Sequence, residues 1–170
     1  MKRRAILVGV ASAGFAGCAI KAPGAGTPLN YEVHSGSGSF DENPPSIYLA
    51  TEDPTPDDWP SASDISERGV EWKGISNIDA ETLRFIHETD FTEAVLVVCE
   101  TAEMGWASID VHDVYGDQAG GLRITAEVES GQSLLTRHHT WWCRINHEET
   151  GPRSATVTLL GRDEPRVLET

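Results

Sequence analysis

The chain has 170 residues, room for one domain with a short appendage, and a domain of that size can bury a genuine core. Its 27 acids outnumber 13 bases, giving a formal net charge of −14, which excludes a nucleic-acid binder that works by neutralising phosphates. Hydrophobic residues make up 39% of the chain, and their concentration in local runs excludes a wholly disordered polymer.

The placement of the charges is informative. Lys2, Arg3 and Arg4 hold three of the bases at the N-terminus, and the lysines are Lys2, Lys21 and Lys73. The acids scatter from Glu32 to Glu169 instead of forming the concentrated tail of a disordered interaction arm. A dispersed acid excess with few lysines resembles the proteins of salt-loving archaea. In about 1 M salt the Debye length falls to about 3 Å, so the self-repulsion that strains an acidic fold in dilute buffer is screened.

Lys2-Arg3-Arg4 opens the chain as a positive segment, followed by the apolar stretch Ala5–Ala16. Its length, about twelve residues, falls short of the roughly twenty that span a bilayer as a helix. It ends in Phe15-Ala16-Gly17-Cys18, which resembles the lipobox of secreted lipoproteins. Arg3-Arg4-Ala5-Ile6-Leu7 resembles a twin-arginine export signal with Ile6 in place of the usual Phe. The resemblance implies a signal peptide over residues 1–17, cleavage before Cys18, and a lipid on the Cys18 thiol. The protein is then expected outside the cytoplasm, anchored to the outer face of the cell membrane through that lipid. A protein partner in the cell envelope is compatible with that position.

Residues 18–45 read as the lipidated cysteine and a flexible linker. Ala19–Asn30 is rich in Ala, Gly and Pro, and His34–Ser39 is a Gly/Ser run. A single β-rich domain is expected over residues 46–170. Ser46–Ala50 and Val70–Ile75 read as strands. The proline-rich stretch between them is a loop, and Asp53, Thr55, Asp57 and Asp64 fall there at calcium-loop offsets. That pattern fails at its turn position, where Asp58 replaces the required glycine. Asp79 reads as the N-cap of a short helix running to Ile86. Ala94–Cys99 is a β-branched run suited to a buried strand. Trp106–Val111 alternates, and so does Leu122–Glu129, with Leu122, Ile124, Ala126 and Val128 on one face. The glycines of Tyr115–Gly121 join these two segments as a hairpin. Thr140–Ile145 and Ala155–Leu160 complete the set. The fold class is therefore mainly β: an antiparallel β-sandwich or open barrel with one short helix.

Phe85-Ile86-His87-Glu88-Thr89-Asp90-Phe91-Thr92-Glu93 before a hydrophobic strand resembles a pattern in uncharacterised haloarchaeal secreted lipoproteins. Asp90-Phe91 ahead of Val95–Val98, Gly105 and the successive hairpins resemble, more distantly, the C-terminal domain of the protease-complex subunit PrcB. Met104-Gly105-Trp106 stands where that family has a Gly-Gly-Tyr-like turn. The resemblance implies a β-rich, protein-contacting extracytoplasmic module, and it brings no catalytic residue.

Four constellations carry candidate chemistry. Cys99 and Cys143 lie in predicted strands in a compartment that permits oxidation, so a disulfide is expected. It would close a loop worth about 4 kcal/mol in the chain-entropy model. Two buried free thiols are the alternative. His139, Cys143 and His147 form the candidate set for copper or another metal, with His138 on the opposite face. Trp106 and Trp142 are candidates for an exposed binding surface, since tryptophan is enriched at binding hot spots. Ser108, Asp110 and His112 have the composition of a catalytic trio. On a strand, however, they stand in a row without a nucleophile elbow or oxyanion donors. No enzyme activity and no cofactor are expected. The primary expectation is a non-enzymatic binding or envelope-associated module, and the alternative is the metal-binding protein.

Overall fold

The computed structural model describes residues 26–36, 38–40, 44–52, 70–72, 75–105, 107–131, 135–147, 151–161 and 164–170. In chain order the elements are β1 (Thr27–Pro28), β2 (Tyr31–Gly36), β3 (Ser39–Phe40), β4 (Ser46–Ala50), β5 (Val70–Trp72), β6 (Ile75–Ile78) and α1 (Ala80–His87). They continue with β7 (Ala94–Met104), β8 (Ala107–Gly116), β9 (Gly121–Ser130), β10 (Thr136–Asn146), β11 (Ser154–Leu160) and β12 (Arg166–Glu169). The fold is mainly β and sandwich-like, and among the described residues no sheet closes into a barrel.

A central four-stranded sheet has the order β2-β10-β7-β4, with all neighbours antiparallel. Against one face packs a five-stranded sheet of order β1-β8-β9-β11-β12, in which β9 and β11 run parallel. Against the other face pack α1 and a small sheet of order β3-β6-β5. The central sheet is thus covered on both sides. That explains the unbroken apolar run Ala94–Cys99: successive side chains of a strand point to opposite faces, and along this run both faces are covered. Val95, Val97 and Cys99 face the five-stranded sheet with Trp141, Cys143 and Ile145. Leu96 and Val98 face α1 and the small sheet with Trp142.

The five-stranded sheet, covered on one side, keeps the alternation expected of it. Leu122, Ile124, Ala126 and Val128 are buried, while Arg123, Glu127 and Glu129 are exposed. The hairpin joining β8 and β9 is held by Asp117, whose Oδ1 accepts the backbone N–H of Ala119 at 2.9 Å and of Gly121 at 2.8 Å. These turn amides, Gly121 first, hold the Asp117 carboxyl below its usual range. The helix begins where expected: the Asp79 side chain accepts the Thr82 N–H at 2.8 Å. Arg144 fastens its other end. The guanidinium lies 4.3 Å over the Phe85 ring and donates to the Phe85 carbonyl, Thr89 Oγ1 and Glu32.

The expected linker over residues 18–45 is corrected from Gly26 onward: three strands occupy part of it. The glycines of the run serve close approach, not slack. A Cβ on Gly36 would stand 2.2 Å from Thr82 Oγ1, and Gly38 adopts a φ of +149° where a Cβ would meet Ile75 at 3.0 Å and Trp142 at 3.2 Å. The segment crosses tightly from the central sheet to the small one.

Candidate functional site

The central sheet is incomplete at one corner. β2 ends at Gly36, opposite Thr140 of β10, while β10 continues to Thr136 and among the described residues is paired there only with β7 on its other side. Beyond Gly36 lies a cleft of about 320 Å³ lined by Ser35, Gly38, Asn77, Ile109, His138 and His139, among others. Thr140 fixes its rim by donating Oγ1–H to the Gly38 carbonyl. Asn77, on the rim, holds a φ of 60°, a left-handed conformation that Asn tolerates better than most residues.

A carboxylate is buried beside this cleft. The Glu100 side chain has no exposure, and its Oε1 lies 2.6 Å from His138 Nδ1. The contact joins the ring nitrogen nearer the main chain to the carboxyl group and leaves Nε2 as the other ring nitrogen. The Ser39 hydroxyl lies 3.4 Å from the same oxygen. The His138 side chain is 51% exposed and closes the buried pair from the solvent side. A buried carboxylate is tolerated where it is paired and hydrogen-bonded. Next to it in sequence, His139 turns to the opposite face and its Nε2 lies 2.9 Å from the Gly105 carbonyl.

The expected sites fare differently. The disulfide between Cys99 and Cys143 is corrected: both are buried free thiols. Cys99 sits opposite Trp141 and Cys143 opposite Val97, so the two are diagonal neighbours. Diagonal positions are about 7–8 Å apart, beyond the usual Cα reach of a disulfide. Burial pushes both thiols up to about 12, with the Trp141 indole partly offsetting the rise at Cys99.

The metal set is corrected as well. His139, Cys143 and His147 succeed one another at four-residue intervals along β10 and its end, about 13 Å per interval. Ligands around one ion bind at about 2.0–2.3 Å and cannot be spread so far. Among the described residues no group of three or more His, Cys, Asp or Glu side chains is placed to hold a metal ion.

Trp142 is corrected from exposed to fully buried, because α1 and the small sheet cover the face it occupies. Trp141 is buried on the other face. Ser108, Asp110 and His112 stand exposed along β8 as anticipated, with a register irregularity between Val111 and Asp113. His112 pairs with Glu127 at 3.1 Å, so the trio does not converge. Cys18, Trp106 and the calcium-loop candidates Asp53, Thr55, Asp57 and Asp64 lie outside the described residues.

Sequence reasoning passed over Glu100, Asn77 and the Gly36–Gly38 crossover. One signal was available: Glu100 directly follows the apolar run Ala94–Cys99, where a charged residue continuing a buried strand requires a partner. Fold and cleft together define a layered β-sandwich with one open corner. No protein-family model, curated protein or solved structure matches this chain.

Proposed function

We propose that this chain is a lipid-anchored extracytoplasmic binding module, without enzymatic activity, adapted to concentrated salt. The observation that carries the binding role is the open corner. A sandwich packed on both faces of its central sheet leaves a cleft of about 320 Å³ beside a stretch of β10 that no described strand meets on that side. Concave sites of this kind are where ligands are usually held. The anchoring half rests on the sequence, namely the basic start, the short apolar stretch and Cys18. The residues 19–25 between Cys18 and the first described residue would set the domain off the lipid surface.

Anchoring is tested by expressing the full chain in a salt-loving host and fractionating it. The expected membrane species starts at a lipid-modified Cys18, and Cys18→Ser releases the protein to the medium. An intact Met1 terminus in the membrane fraction would overturn the reading. The salt adaptation predicts that the unfolding midpoint rises from dilute buffer toward molar KCl, whereas equal stability in both would remove it.

A further inference from the structure

The open corner also specifies how a partner docks. We propose that β10 receives an extended, carboxylate-bearing polypeptide segment as an added strand along Thr136–His139, continuing the line that β2 abandons at Gly36. This rests on the binding-module reading only in its use of the cleft.

Strand geometry comes first. β10 is paired with β7 from Thr136 to Asn146, but with β2 only from Thr140 to Ile145. Alternate residues of Thr136–His139 therefore turn their N–H and C=O groups away from β7, toward the cleft, where no described strand meets them. An uncovered strand edge is a template for main-chain pairing. The space is shaped for a chain. Ala107 and Ile109 of β8 wall it on one side, Gly38 and Asn77 wall it on the other, and Gly36 ends it.

Charge decides the side chains of the partner. In a chain with a net charge of −14, Arg137-His138-His139 is the densest run of basic and imidazole residues after the N-terminus. Arg137 is exposed, and its cross-strand neighbour Glu103 is engaged by Arg166 at 2.7 Å. Arg137 and His139 share one face of the strand, so an incoming strand with acids at every second residue sets carboxylates against both. An Arg–carboxylate pair formed at contact is also charge-assisted hydrogen bonding, which acts at distances within the Debye length of about 3 Å at 1 M salt.

The test uses the full chain in detergent at molar KCl with fluorescent eight-residue peptides of alternating Glu and Thr, read by anisotropy and by amide hydrogen exchange. Binding is expected with slowed exchange within Thr136–His139. The alternating Lys and Thr peptide is expected to bind at least tenfold more weakly, and Arg137→Glu to weaken the acidic peptide by about tenfold. N-methylation separates main-chain pairing from side-chain contact. Methylating one alternate set of peptide amides should abolish binding, and methylating the other set should leave it intact.

Equal tolerance of both methylated peptides, or unchanged exchange at Thr136–His139, would overturn strand addition. Equal or tighter binding of the lysine peptide would overturn the carboxylate preference. Failure on every arm removes this inference while the lipid-modified Cys18 terminus, if found, still supports the anchored module.

Discussion

The two faces of the central sheet meet different neighbours and solve burial differently. Toward the five-stranded sheet the face is apolar along most of its length: Val95, Val97, Cys99, Trp141, Cys143 and Ile145 close against Leu122, Ile124, Val157 and Leu159, and Thr101 is the buried polar residue that follows them on β7. Toward α1 and the small sheet, Leu96, Val98 and Trp142 give way along the strands to Thr140 and Glu100. The first face is filled chiefly by volume, whereas the second must also hold a fully buried carboxyl group. The comparison teaches where stability and where specificity reside: the dry face holds the layers together, and the mixed face shapes the corner at which the sheet stays open.

The strongest way to break this division is Trp141→Ala. It removes the largest side chain of this face, which packs in the apolar cluster and also lines the cleft, at an expected cost of about 3–5 kcal/mol in urea unfolding. Trp142→Ala removes the same volume near Thr140 and Gly38, where polar groups can hold water, so its cost is expected at the lower end of that range. A Trp142 variant clearly more damaging than the Trp141 variant would reverse the assignment of the faces.

His138→Ala sharpens the other half of the comparison. The histidine is half exposed, so little packing is lost, yet Glu100 loses its 2.6 Å hydrogen-bond partner while remaining buried. The expected cost is about 1–3 kcal/mol. Adding Glu100→Gln replaces the buried acid by a neutral amide of the same shape and should recover most of it, which a double-mutant cycle measures. If the single variant is neutral, or the second change deepens the loss, the pair does not organise this face.

The dry face was the more legible one in the sequence. Alternation at Leu122–Val128 gave the inward residues of β9, the β-branched run gave β7, and Asp79 gave the start of α1. These are local signals, set by strand or helix periodicity alone. The mixed face depends on what covers it. Trp142 follows Trp141 directly, so a two-layer sandwich leaves it outside, and only the third layer of α1 and the small sheet buries it. His34–Ser39 has the composition of a linker, yet Gly36 and Gly38 are required by the approach of Thr82, Ile75 and Trp142. Nothing in the local pattern reveals such an approach. The parallel pairing of β9 with β11 likewise follows from sheet order, which the spacing of strands along the chain does not encode.

Register was equally invisible, and the cysteines supply the smallest and most discriminating prediction. Two cysteines on adjacent strands of one sheet invite a bridge, but the pairing of β7 with β10 places them one diagonal apart. As packed thiols they act as small hydrophobes, so Cys143→Val should cost under about 1.5 kcal/mol, where loss of a native disulfide would cost about 2–5 kcal/mol. Their titration gives an independent check. Folding raises both thiols from 9.0 to about 12. Below about pH 9 they are protonated in both folded and unfolded states and leave stability unchanged. Between about pH 9 and 12 the unfolded chain ionises first, so stability falls as pH rises through that window. Iodoacetamide should then leave Cys99 and Cys143 untouched in the folded protein near pH 8 and label both after unfolding without reductant. Labelling that requires a reductant would restore the bridge, and with it a different register between the two strands that organise the core.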